Sequence, residues 1–242
     1  MAIKRILMGL LFALILFFVR HQAEEVDDMT RASDTLIVQI KQDIFSGALR
    51  PGDQLEESEL AARFGVSRTP IREAIRSMVN CGLLETRPRK GAIVRKLSAK
   101  ELHDLFQVAA ELEGMACRLA CETLTQPHLE AIKTALASCR DAATAQDIPI
   151  YAQANLAFHA AIHATCGNSW LIDQLQQIEA RINVYRLMPY EVVGRLEESM
   201  CEHTVIYNAI TERRGMDANN FMRDHMMLQG MRLPQLLKAL ED

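Results

Sequence analysis

The chain has 242 residues, 49% apolar and 24% charged, which excludes a disordered polymer and allows one large domain or two ordinary ones. Its net charge of −4 masks an asymmetry. Residues 31–96 carry twelve Lys/Arg against eight Asp/Glu and residues 97–242 twelve against nineteen, so a basic module precedes an acidic one, as suits a nucleic-acid reader with a separate control domain. Six cysteines, at 81, 117, 121, 139, 166 and 201, are scattered without any Cys-x-x-Cys spacing. That is the usage of a reduced, cytoplasmic protein.

At the N-terminus, Lys4-Arg5 precede fourteen apolar residues, Ile6 to Val19, and Arg20-His21 follow. The run is shorter than the ~20 residues that span a bilayer, and no small-x-small cleavage site follows it. Met29 stands just before the first helical pattern. Residues 1–28 are therefore read as an over-extended start or a short hydrophobic anchor, and a membrane partner is not expected. The expected domains are 29–97 and 98–242.

Leu36, Ile37, Ile40, Ile44 and Phe45 recur at helical spacing over 34–46, with Gly47 as the stop. Arg50-Pro51-Gly52-Asp53 reads as a turn. Ser58 is placed to cap a helix running to Phe64, and Ser67 or Thr69 to cap the next, where Pro70 is tolerated in the first turn. In that second helix Arg68, Arg72 and Arg76 recur every four residues and form one basic stripe. Ile71, Ala74, Ile75, Met78 and Val79 form the opposite, apolar side. Two helices meeting at Phe64-Gly65-Val66-Ser67, the second basic on its outer face, is the layout that sets a helix in a DNA major groove. Leu83–Thr86 and Ala92–Arg95 then read as two strands around a basic tip containing Lys90 and Gly91, a hairpin wing.

Beyond Leu97 no strand signal remains. Ser98-Ala-Lys-Glu101 is a capping box opening a helix through about Thr123. Further helices are expected at about 126–146, 148–166, 168–188, 191–214 and 217–240. The fold class is mainly α: a winged helix-turn-helix of three helices and a small β-hairpin, then an all-α antiparallel six-helix bundle. In the bundle half, Asn155 and His159 lie one helical turn apart, His203 sits two helices later and His225 in the last helix. Three imidazoles and a side-chain oxygen could converge there, and neutral imidazole suits zinc, nickel or iron. By spacing alone His159 and His163 are an equally good pair. No carboxylate stands out beside these histidines, and Glu202, next to His203, is expected on a different face of its helix.

Gly47-x-Leu49-x-Pro51-Gly52-x-x-Leu55, Leu60-Ala61, Gly65-Val66-Ser67-Arg68-Thr69-Pro70-Ile71-Arg72-Glu73-Ala74-Ile75, Gly82-Leu83 and Gly91-x-x-Val94 together resemble the GntR family of bacterial transcription regulators, over nearly all of residues 35–96. The resemblance implies a winged reader of a palindromic operator that works as a homodimer. It assigns DNA contact to Ser67, Arg68, Thr69, Arg72, Lys90 and Gly91; Ser58 stands where some members carry a basic residue. The acidic half resembles the helical ligand domain of the FadR-type branch. That likeness implies a divalent metal, such as Zn, Ni or Mn, on Asn155, His159, His203 and His225, with His163 outside the set, and a small-molecule effector. The branch often pairs an effector carboxylate with an arginine in the first bundle helix, where this chain has Ala109. Arg181 and Arg186 are the candidates to compensate. The expected function is a metabolite-responsive repressor and not an enzyme. The alternatives are a metalloenzyme with an appended DNA-binding module and a membrane-tethered regulator.

Overall fold

The computed structural model describes residues 33–87, 91–185, 190 and 192–239. The expectations for residues 1–28, for Lys90 and for Arg186 lie outside them. Two compact units are present: one holds residues up to Asp43 together with Asp53–Val94, and the other Ile44–Gly52 together with Arg95 onward.

In the first unit, α1 (33–45) buries Leu36 and Ile40 on one face. β1 (Gln54–Leu55), α2 (Glu57–Phe64), α3 (Arg68–Asn80), β2 (Leu84–Arg87) and β3 (Gly91–Val94) follow. The α2–α3 turn needs a left-handed residue, which Gly65 supplies at φ +67°. A second one closes α3: with Gly82 at φ +77° the Leu83 N–H reaches back to the Met78 carbonyl in a Schellman-type cap. The apolar side of α3 is buried as its spacing predicts, through Ile71, Ala74, Ile75 and Met78. Two expectations change. Glu56, not Ser58, is the N-cap of α2. The wing is part of a three-stranded antiparallel sheet in the order β1-β3-β2, because Gln54 and Leu55 pair with Ile93 and Ala92. Two residues after a Pro-Gly turn are too few to show an alternation.

The second unit is all helical: α4 (Ala99–Thr123), α5 (Gln126–Thr144), α6 (Ile148–Thr165), α7 (Ser169–Ile182), a 3-10 turn (Asn183–Tyr185), α8 (Arg195–Thr211) and α9 (Gly215–Ala239). The Ser98–Glu101 capping box forms, and Asp147 and Asn168 cap α6 and α7. α7 ends earlier than its pattern suggests, passing into the 3-10 turn. α8 starts at Arg195, after Gly194 at φ +82°. Arg213 turns the α8–α9 corner at φ +55°, and its guanidinium donates to the Cys121 and Leu124 carbonyls at the end of α4, at 2.8 and 2.7 Å. Among the described residues no helix is long and apolar enough to cross a membrane.

α4 packs along α9 more extensively than any other pair, and two glycines permit it. A Cβ on Gly114 would lie 2.9 Å from the Asn219 carbonyl oxygen, and one on Gly230 would lie 2.6 Å from Phe106 Cβ. Helix propensity alone would favour alanine at each by about 1 kcal/mol, whereas forced overpacking costs ~1–3 kcal/mol. Gly114→Ala and Gly230→Ala should therefore each lower stability on balance. Urea titration followed by helical circular dichroism tests this, and an unchanged or raised midpoint would contradict the close approach.

Candidate functional site

Two sites emerge, one in each unit. On the first, Ser67, Arg68, Thr69, Arg72 and Arg76 are all exposed on one side of α3. Ser67 is the N-cap residue, in extended backbone and with no capping bond from its side chain. Arg72 donates from Nε to Glu57 Oε2 at 2.7 Å, a bond from α3 back to α2. Both partners are exposed, and such pairs contribute ~0–1 kcal/mol, so Glu57 can yield the guanidinium to a phosphate or a base edge. Gly91, at φ +69°, heads β3 and is exposed.

On the second, α6, α8 and α9 bring His159, His203 and His225 together with one ring nitrogen from each within 4.8 Å of the others. All three rings are buried, with centroids 5.8, 5.5 and 4.7 Å apart in pairs. Asn155, one turn before His159, is fully buried, and neither its amide oxygen nor its amide nitrogen has a hydrogen-bond partner. Phe158 stacks on His203 at 4.5 Å and fixes that ring.

Two carboxylates that sequence reasoning missed orient the imidazoles. Glu113 on α4 is 1% exposed and lies 3.1 Å from His159 Nδ1 and 2.9 Å from His163 Nε2. Burial pushes its pKa up, but the two imidazoles, His159 first, outweigh burial and hold the carboxyl well below the usual range. Glu202 corrects the expectation that it faces away: its Oε2 lies 2.5 Å from His225 Nδ1. It also accepts both terminal nitrogens of buried Arg195 at 2.8 Å. Burial opposes its ionisation, but the bonds from His225 and Arg195 bring it down to about 2. A carboxylate at Nδ1 favours the tautomer that leaves the Nε2 lone pair open, the form in which an imidazole can act as a ligand. His163 belongs to a second grouping, with Glu113 and His159. Arg181 is half-buried in the last turn of α7. Ala109 is buried on α4.

A sequence signal for Glu113 existed. It falls in the apolar register Leu102, Phe106, Ala109, Cys117, Ala120, where a charge has no place unless it is paired. Glu202 was harder to find. Successive helical residues diverge by about 100°, and only the position of α9 shows that a long side chain closes the gap.

Comparison with known proteins gives a consistent result. The model of the FCD domain matches residues 104–227, and that of the bacterial regulatory proteins of the gntR family matches residues 32–94. The Nta operon transcriptional regulator of Aminobacter aminovorans is 30% identical over 73% of this chain and 82% of its own length. The transcriptional repressor RspR of Escherichia coli is 26% identical over 77% and 82%. Among solved structures, E. coli McbR/YncC superposes with a TM-score of 0.75 at 23% identity, covering 86% of this chain and 98% of that one.

Burial first, then the neighbouring His159, lowers the His225 pKa from 6.5 to about 4, although Glu202 resists the shift. An unfolded His225 takes up a proton near its ordinary value while the folded one stays neutral. Stability of chelator-treated protein should therefore fall as pH drops from 6.5 toward 4, by up to ~1.4 kcal/mol per unit from this group. Glu202 adds a loss at lower pH, between 4.5 and about 2. Replacing His225 with Asn should flatten the upper window in urea titrations; an unchanged slope would argue against a buried neutral imidazole.

Proposed function

Because the chain belongs to the GntR family of bacterial transcription regulators, in the FadR-type branch with a helical FCD domain, we propose that it is a metabolite-responsive repressor whose helical half holds a divalent metal. It is a DNA-binding regulator and not an enzyme. In this reading residues 29–97 bind a palindromic operator through Ser67, Arg68, Thr69, Arg72, Lys90 and Gly91. Residues 98–242 bind effector and metal and form the homodimer.

The observation that carries the metal reading is the gathering of three buried imidazoles, two of them already held at Nδ1 by Glu113 and Glu202. Asn155 supplies the fourth donor, and its buried amide, with no partner of its own, fits that role. When bound, a Zn, Ni or Mn ion supplies a Lewis-acidic point at which an oxygen ligand docks. The surrounding residues fix the rings, exclude bulk water and hold the proton of each bonded imidazole at Nδ1. Arg181 and Arg186 stay the candidates for pairing with an effector carboxylate in place of the arginine that Ala109 replaces. Coupling between effector and operator affinity of about 1–3 kcal/mol is enough for regulation. A second copy is supported by apolar residues on α4 and α7. Val108 is 53% exposed and Trp170 80% exposed, and the same two helices carry a separate apolar cluster that includes Ala116, Leu171 and Leu175.

Nickel or zinc should bind the chelator-stripped protein and raise its melting temperature. His203→Ala should abolish the shift. Glu113→Gln and Glu202→Gln should each weaken metal binding about 10–100-fold, as loss of an outer carboxylate does. Isothermal titration reads both effects, and full affinity in the His203 variant would remove the centre. On the other unit, Arg72→Ala should abolish specific binding to an operator selected from random DNA while leaving the circular dichroism unchanged. Unaltered affinity in fluorescence anisotropy would overturn its role.

A further inference from the structure

The arginine stripe on α3 is longer than the set of operator contacts assigned to it. Arg68, Arg72 and Arg76 are all exposed, yet the assigned contacts on this helix end at Arg72. Ala74 and Met78, two residues to either side of Arg76, are fully buried. Side chains two apart on a helix diverge by about 160°, so this packing turns Arg76 to the outer side and holds it there. Like charges four apart on a helix repel, and the stripe contains two such pairs. Glu57 relieves the first by accepting from Arg72. Nothing relieves the second: Arg76 has no hydrogen bond or ion pair among the described residues, although Glu73 stands three residues before it at a spacing that suits one. No acidic residue lies in the first turn of α3 either. A helix that keeps this repulsion on its outer side is matched to a polyanion.

We propose that Arg76 is a sequence-independent clamp on the DNA backbone, holding a phosphate at the rim of the major groove and thereby setting how deeply α3 enters it. The proposal rests on the reading of α3 as the operator-binding helix. A recognition helix offers its N-terminal residues to base edges. Arg76 lies two turns beyond Arg68, about 12 Å along the axis at 1.5 Å per residue, and the groove is itself ~12 Å wide. With Arg68 and Thr69 at the bases, Arg76 therefore stands at the groove's edge, where a long side chain meets phosphate oxygens. Such a contact positions the protein without reading sequence. It leaves a distinct signature: neutralising a phosphate releases counterions, so the contact steepens the fall of affinity with salt, whereas a base contact shows as a preference at one position.

The test uses the full-length protein and an operator selected from random DNA, with affinity read by fluorescence anisotropy between about 0.05 and 0.3 M salt. In Arg76→Gln the slope of log affinity against log salt should become shallower by about 0.9 for each bound protomer, 1.8 for a homodimer. Affinity at 0.15 M salt should fall about 30-fold for the homodimer, the loss that this change of slope implies. The factor should be the same on the operator and on its single-base variants, and the sequence that the variant selects from random DNA should be unchanged. Arg76→Lys keeps a point charge that suits a phosphate and should restore the slope. An unchanged slope in Arg76→Gln overturns the proposal. So does an altered selected sequence, which would make Arg76 a base reader, or a lysine variant that behaves as the glutamine one does. Arg72→Ala separates this inference from the reading beneath it. If Arg72→Ala loses specific binding while Arg76→Gln binds as the unaltered protein does, only the clamp is rejected; if neither change weakens binding, α3 is not the operator-binding helix.

Discussion

Glu202 is the residue on which the helical half depends. A single carboxylate accepts a fully buried guanidinium and a fully buried imidazole from two helices. Neither Arg195 nor Glu202 could stay charged there alone, since an isolated ion in apolar surroundings is far more costly than the bonds it would forgo. Together they form a closed set: Arg195 is neutralised, His225 is held in one tautomer, and Glu202 stays ionised. Glu113 repeats the arrangement from the opposite side, between His159 and His163. Buried charge here serves orientation, because a hydrophobic replacement could fill the volume but could not aim a ring nitrogen.

The DNA-binding unit follows the opposite logic. Its functional groups are exposed, held by one weak bond to Glu57, and displayed by a small apolar core that needs little more than the inner face of α3 and three short strands. Left-handed glycines at 65 and 82 set where the helices stop, so the display is fixed by backbone geometry while the arginines remain free to choose partners.

That contrast explains what was legible from the sequence. Arg68, Arg72 and Arg76 repeat at the helical period and Gly65 marks the turn, so the DNA-binding face is a local pattern. The histidine centre was half legible: Asn155 and His159 share one turn, but the convergence of His203 and His225 depends on how three helices pack. Arg195 falls inside the helix expected over 191–214, and nothing in its local pattern separates it from a solvated charge. The short strand β1 was invisible because its only evidence is the strand beside it.

Arg213 meets two demands that no other residue meets together. The left-handed corner between α8 and α9 favours Gly or Asn, yet only a long planar fork reaches both the Cys121 and Leu124 carbonyls. A change to Gly relaxes the corner and abandons the end of α4; a change to Lys keeps one contact and the strain. Either change therefore gives up one of the two roles, so a single side chain ties the α8–α9 corner to the end of α4.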